Sequence, residues 1–226
     1  EGAAWLFSGY STHGSFGGGF VYTNRASVSI GVVAGIEATM ERGSVSVCRM
    51  LEDLKRHPAV APLIKDGKVV EHSGHMVPEG GLAIMPKLVG DGVMLAGESA
   101  MMCVNLGYQV RGMDYAIAAG MHAGREAAKA LDRGDTSALA LSGYEAALEA
   151  SFVMKDLRQF SRVPAFMEGF DRMFSGYPEM VCDLMDQLFI VDGAPVKPLK
   201  TGLMPIVKRI GMMTLLKDAR GAMKAL

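Results

Sequence analysis

The run Gly92-Val93-Met94-Leu95-Ala96-Gly97 constrains the fold more than any other stretch of the chain. It is short, continuously apolar and bounded by glycines, the pattern of a strand buried in a parallel sheet. A long Ala-rich segment follows from about Gly112 to Leu131 and reads as a helix, broken by Asp132-Arg133-Gly134-Asp135. A strand, a loop and a long helix in that order point to an α/β or α+β architecture.

Upstream, residues 14–35 carry a β pattern. Phe20 and Tyr22, then Val28, Ile30 and Val32, alternate with other residues, and Asn24-Arg25-Ala26-Ser27 between them reads as a hairpin turn. Residues 44–56 predict a helix with Val47, Met50, Leu51 and Leu54 on one face, ending near His57-Pro58. Residues 67–77 read as a further strand. Downstream, residues 137–160 predict helix with Tyr144, Leu148, Phe152 and Leu157 buried. Short helical pieces follow, cut by Pro164, Gly169, Pro178, Pro195, Pro198 and Pro205.

From residue 197 the tail is basic: Lys197, Lys200, Lys208, Arg209, Lys217, Arg220 and Lys224 stand against Asp218 alone. Leu203, Ile206, Val207, Ile210 and Met213 form a stripe that Lys217 interrupts, and Gly211 and Gly221 weaken the helix. A helix pair packed on the domain and a docking surface for an anionic membrane or acidic partner are the two readings.

Half of the 226 residues are hydrophobic, and the mean hydropathy is +0.21. No stretch of about 18 apolar residues lacks charge, so no transmembrane helix is expected. A net charge of −1 argues against a general nucleic-acid binder. Cys48, Cys103 and Cys182 lie far apart without a CxxC, which excludes an iron–sulfur or zinc site built from them alone and suits a reducing cytoplasm. His13, His57, His72, His75 and His122 show no metal spacing; His72 and His75, on the strand expected at 67–77, would face opposite sides. The chain opens on Glu1 without a signal-peptide pattern, and the expectation is an internal fragment or an expression product.

Three segments carry candidate chemistry. In Gly97-Glu98-Ser99-Ala100 a glycine at a strand end lets a ligand approach the backbone, the carboxylate accepts hydrogen bonds from sugar or ribityl hydroxyls, and the small residues leave amides open to a pyrophosphate. Arg111-Gly112-Met113 opens the long helix, whose N-terminus carries partial positive charge and free N–H groups. Aimed at a flavin's pyrimidine edge, those groups would stabilise the negative charge that reduction places there. Gly17-Gly18-Gly19 runs into the first strand of the hairpin, as a bulge or tight bend, or as a flat backbone surface for a planar ligand. Met76-Val77-Pro78-Glu79-Gly80-Gly81-Leu82 reads as a turn, with Glu79 a solvated turn residue by default and a functional carboxylate as the alternative.

Taken in order, these segments resemble the FixC group and its relative, electron-transfer-flavoprotein–ubiquinone oxidoreductase. The resemblance runs from Gly17-Gly18-Gly19-Phe20-Val21-Tyr22 through Ser29-Ile30-Gly31-Val32-Val33 and Leu51-Glu52-Asp53-Leu54-Lys55-Arg56-His57-Pro58. It continues through Pro78-Glu79-Gly80-Gly81 and Pro86-Lys87-Leu88-Val89. It is strongest at Gly97-Glu98-Ser99-Ala100 and Asn105-Leu106-Gly107-Tyr108-Gln109-Val110-Arg111-Gly112-Met113-Asp114. Val153-Met154-Lys155-Asp156 and Leu215-Leu216-Lys217-Asp218 look like pieces of the group's C-terminal helical region.

The resemblance implies the C-terminal part of a glutathione-reductase-like FAD-binding fold. Residues 1–90 would belong to a quinone or substrate domain with an antiparallel sheet. Residues 91–134 would give the last strand and helix of the FAD-binding domain, and residues 135–226 a helical region. The group's N-terminal Gly-x-Gly-x-x-Gly strand–helix unit does not occur here, so the N-terminal half is expected to be missing. Glu98 stands where the group commonly has Asp, and Met101 where many relatives have Gly.

The implied activity is passage of electrons from an electron-transfer flavoprotein of the FixA/FixB kind to a quinone. FAD is the cofactor, a separate ferredoxin-like FixX subunit the further partner, and an electron-bifurcating complex a further setting. No nucleic acid is implied. The implied location is the cytoplasm, with peripheral contact to the inner face of the cell membrane. Gly97, Glu98, Ala100, Arg111, Gly112 and Met113 would bind the cofactor, and Gly17, Gly18 and Gly19 the quinone. No side-chain acid or base and no metal ligand are implied, because the cofactor carries the chemistry. A geranylgeranyl-reductase-like FAD oxidoreductase acting on isoprenoid lipids and a flavin-free binding module are the alternatives.

Overall fold

Alternation in the first 35 residues builds a three-stranded antiparallel sheet, and the computed structural model describes it within residues 2–42, 45–107, 109–196 and 198–226. Strands β1 (Ala4–Phe7), β2 (Gly17–Thr23) and β3 (Val28–Ala34) lie in the order β1-β2-β3. The turn falls where the sequence places it, with the Asn24 amide donating to the Ser27 carbonyl at 2.9 Å. The faces are reversed for β2. Val21 is the buried residue, paired with Ile30 in register, whereas Phe20 and Tyr22 stack on each other at 4.8 Å on the other face.

The reason is the partner beneath. Val21, Leu54 and Val60 form a core to which Phe7, Ile30 and Val32 add. Leu54 comes from the helix Val47–Arg56, whose N-cap Ser46 accepts the Arg49 amide. The helix stops at His57, held extended before Pro58 as a pre-proline residue prefers. Of the face expected on it, Met50 and Leu54 are buried and Val47 is exposed; Ser44 lies outside the described residues.

The chain divides into two compact units, Glu1–His72 with Glu168–Ala219, and Ser73–Met167 with Arg220–Leu226. This division falls elsewhere than 90 and 134. In the first unit the sheet is accompanied by the helices Gly176–Phe189 and Leu199–Ile210 and the first part of Met212–Ala225. Arg172 grips Asp218 with two hydrogen bonds of 2.7 Å, and the Tyr177 hydroxyl donates to the same carboxylate at 2.8 Å. Hydrogen bonding from Arg172 holds the Asp218 carboxyl below the usual carboxylate range.

Three prolines do not cut helices as expected. Pro164 and Pro178 sit in the first turns of Val163–Glu168 and Gly176–Phe189, where no intrahelical N–H is needed, and Pro205 lies inside Leu199–Ile210. The tail does form a helix pair, parted at Gly211 with φ 94°. Lys197 of that tail lies outside the described residues.

The second unit is mostly helical with two minimal ladders, Val89–Gly90 with Val93–Met94 and Val104–Asn105 with Val110–Arg111, both antiparallel. The parallel buried strand expected over 92–97 is therefore corrected. Only Val93 and Met94 are strand, paired antiparallel, and Val93 is 51% exposed. No parallel neighbour is supplied among the described residues. The strand expected over 67–77 is also corrected: those residues have no regular structure, and Val69 and Val70 are both exposed. No ladder partner faces them, and adjacent valines would in any case point to opposite faces. His72 and His75 thus occupy a loop.

The long helix is Met113–Arg133, closed by Gly134 in the left-handed region with φ 68°. It packs through Tyr115, Ala118, Ala119 and Ala130 on the helices Ala138–Leu141, Gly143–Ala150 and Phe152–Gln159, which divide the stretch 137–160 at Ser142 and Ser151. Tyr144, Leu148 and Leu157 are buried as expected. Phe152 is not: at the first position of its helix it is 44% exposed.

Candidate functional site

The turn Gly97–Ala100 and the N-terminus of the long helix meet within the second unit. Gly97 adopts φ 68°, and a Cβ there would fall 2.9 Å from the Cβ of Ala116 in the first turn of the helix. Backbone and packing both require glycine at this position. The Met101 amide closes the turn onto the Glu98 carbonyl at 2.8 Å, and the Met102 amide onto the Gly97 carbonyl at 3.1 Å. Met101 itself takes the left-handed conformation, φ 59°, where a glycine would be unstrained.

Around this turn the expected residues separate by role. The Glu98 side chain is half exposed, with the His75 imidazole 3.9 Å away, so its carboxylate is open to hydroxyl donors. Ala100 is fully buried and contributes packing. Gly112 is the N-cap with no side-chain cap, and Met113 beside it is 80% exposed. Gly112 has extended backbone, φ −172°, and a Cβ there would meet the Cβ and Cα of Cys103 at 3.4 and 4.0 Å and the Met102 carbonyl oxygen at 3.9 Å, all ordinary contacts. Nothing in its own neighbourhood requires a glycine.

Arg111 is committed within the chain. Its Nε donates to Asp114 at 2.9 Å, its Nη1 donates to Asp156, and its guanidinium lies 4.7 Å from the Tyr115 ring and 5.6 Å from the Phe152 ring. This arrangement explains the exposed Phe152, which covers the flat guanidinium instead of entering the core. It also ties the helix start to the helix Phe152–Gln159.

Sequence reasoning missed a polar group behind the turn. The Cys103 thiol donates to the Pro78 carbonyl at 2.6 Å, which places the Pro78-Glu79-Gly80-Gly81 segment beside Gly112. Burial, with the Glu79 and Glu98 carboxylates nearby, pushes this thiol up to about 11, so it stays protonated at neutral pH. Burial also raises the Glu79 carboxyl, against a hydrogen bond from the Asn105 side chain. Asn105 in turn accepts the Gly107 amide at 2.9 Å and shapes the loop before the helix; Tyr108 of that loop lies outside the described residues. The turn-like composition of Pro78–Gly81 and the lone Cys103 were visible in the sequence, but no local pattern joins them.

The glycine run lies in the first unit. A Cβ at Gly17, with φ 132°, would collide with the Val33 carbonyl oxygen. At Gly18 it would fall 2.8 Å from the Phe7 carbonyl oxygen, and at Gly19 2.8 Å from Leu54 and 2.9 Å from Ser11. The sheet and the helix Val47–Arg56 thus account for all three. Among the described residues no group of His, Cys, Asp or Glu could hold a metal ion, and no helix is long and apolar enough to cross a membrane.

Residues 163–226 match the sequence model of the ETF-QO/FixC family C-terminal domain. Over 96% of its length the chain is 50% identical to a probable electron transfer flavoprotein-quinone oxidoreductase, YdiS, of Escherichia coli, and 45% identical to the FixC protein of Salmonella typhimurium. A more distant FixC protein, from Bradyrhizobium diazoefficiens, is 33% identical over 97% of the chain. The matches agree in family: nearly the whole chain is similar to ETF-QO/FixC proteins, and residues 163–226 to that family's C-terminal domain. The chain spans about half the length of these relatives, 50% in each case.

Proposed function

We propose that the protein to which this chain belongs is an FAD-dependent oxidoreductase that takes electrons from an electron-transfer flavoprotein and delivers them to a quinone. The observation that carries the reading is the turn Gly97–Ala100 packed on the uncapped start of the helix Met113–Arg133, with Glu98 and Met113 exposed beside it. A glycine at 112 that the surrounding chain does not require is what close approach of a flat ligand would demand.

The residues fit a flavin's ribityl chain and pyrimidine edge. The Glu98 carboxylate would accept hydroxyl hydrogen bonds, and the first amides of the helix at Gly112 and Met113 would face developing negative charge. Arg111, clamped by Asp114 and Asp156, holds the helix start in place. Bound FAD supplies the redox chemistry, storage of an electron pair. The adenine half of the cofactor would lie on a part of the longer protein absent from these residues, within a glutathione-reductase-like fold. Val93 and Met94, which have one ladder partner here, would gain a second neighbour there.

In this reading the quinone lies beside the glycine strand. Since packing accounts for Gly17, Gly18 and Gly19, their bulky variants would report on folding. Val33 is the better probe, because it pairs with Gly18 in register and is exposed. The partners read here are an electron-transfer flavoprotein, a ferredoxin-like subunit and a membrane-dissolved quinone. Rapid mixing of the full-length protein, each half-reaction separately, tests this. Val33→Trp slows quinone-driven reoxidation and leaves reduction by the donor unchanged. Wild-type protein that no quinone reoxidises defeats the reading.

A further inference from the structure

The clamp on Arg111 holds more negative charge than positive. The guanidinium donates through Nε and Nη2 to Asp114, in the first turn of the long helix, and through Nη1 to Asp156, from the helix Phe152–Gln159. One cation against two carboxylates leaves an excess of negative charge beside the helix start. Tyr115 adds none, because burial pushes its hydroxyl up and keeps it protonated, and it donates to Asp156 at 3.3 Å. Glu98 in the facing turn has the same sign, and His75, 3.9 Å from it, offsets that only when protonated. On the helix that carries Asp156, Arg158 is paired with Glu149 and Lys155 is exposed.

Position alone does not require the second carboxylate. Asp114 already takes two of the guanidinium donors, and the rings of Tyr115 and Phe152 flank the group at 4.7 and 5.6 Å. The two carboxylates also differ in exposure, 22% for the Asp156 side chain against 44% for Asp114. The less exposed charge is screened less and acts further through the protein. Asp114 is compensated by the positive end of its own helix, whereas Asp156 lies mid-helix.

We infer that Asp156 tunes the bound flavin toward its oxidised form, acting through Arg111 at the helix start. The inference rests on the reading that this turn and helix start hold a flavin. Reduction places negative charge on the pyrimidine edge, which the first helix amides favour. Excess negative charge behind those amides opposes it, so oxidised flavin gains relative to reduced. A flavin held in this way gives up its electrons more readily, which suits delivery to a quinone. Asp156 is a positioning residue: it fixes the setting and the net charge of Arg111.

The test is the midpoint potential of the flavin in purified full-length protein, read by spectroscopic titration against a dye of known potential. Asp156→Asn keeps an oxygen for Arg111 and Tyr115 and removes the charge. At a fixed potential its ratio of reduced to oxidised flavin rises about tenfold, the scale of one partly buried charge. For a two-electron couple that is a shift of about +30 mV. Asp156→Glu restores the charge and stays within about twofold of wild type. Asp114→Asn moves the ratio the same way by about threefold, since that carboxylate is better screened. Flavin content is unchanged in all three. The inference is overturned if the ratio in Asp156→Asn stays at the wild-type value or falls, or if Asp156→Glu moves it as far. It is equally overturned if Asp156→Asn loses flavin or does not fold, because the carboxylate would then be a structural tie. Wild-type protein without flavin defeats the functional reading as well, whereas a flavin indifferent to Asp156 defeats this inference alone.

Discussion

Two glycine regions look alike in the sequence and differ in the structure. At Gly17, Gly18 and Gly19 the chain itself occupies the space that a side chain would take: the Val33 and Phe7 carbonyls, Leu54 and Ser11. At Gly112 the backbone is extended and a Cβ would make only ordinary contacts, at 3.4 Å or more. The first region needs glycine in order to fold. The second leaves room that folding does not use, beside an uncapped helix start. Gly97 lies between the cases, since its φ of 68° and its contact with Ala116 are structural demands made inside the candidate site.

That contrast can be broken by substitution. Gly17→Val carries the largest effect, because it meets a fixed carbonyl at φ 132°. Chemical denaturation should register a loss of about 4 kcal/mol or more, or no folded protein. Gly97→Ala adds left-handed strain to overpacking on Ala116, for a loss of about 2–3 kcal/mol in the same measurement. Met101→Gly should act in the opposite sense, raising stability by about 0.5–1 kcal/mol as its φ of 59° loses strain. Gly112→Ala should lie within about 0.5 kcal/mol of wild type, the behaviour of a site without a structural demand. A Gly112→Ala variant as damaged as Gly97→Ala would erase the distinction.

Much of the architecture was legible because it is local. The hairpin, the helix stopped at His57-Pro58 and the long helix ended by Gly134 follow from periodicity and from residues that start or stop elements. What was not legible depends on distant partners. The run 92–97 has the composition of a buried strand, yet a strand is defined by its neighbours, and here only Val89–Gly90 pairs with it. The reversed faces of β2 follow from Leu54 and Val60 lying under Val21, which no alternation reveals. Pro205 was read as a break because proline disfavours helix interiors, but one lost hydrogen bond did not end the helix.

The candidate site shows the same division. Gly97 and Gly112 mark a turn and a helix start in the sequence, and the structure brings that turn and helix together. Arg111 carried no mark of its ties to Asp156 and Phe152, which lie more than 40 residues away in sequence. The thiol bond from Cys103 to Pro78 is equally invisible, since a lone cysteine gives no spacing to read.

The central claim is that the turn and helix start hold a flavin. It is tested most directly by the flavin-to-protein ratio of purified full-length protein carrying Gly112→Val, measured beside wild type and Gly112→Ala. The account predicts flavin near one per chain in wild type and a marked loss in Gly112→Val, with thermal unfolding of the flavin-free forms unchanged. Full retention of flavin in Gly112→Val would contradict it.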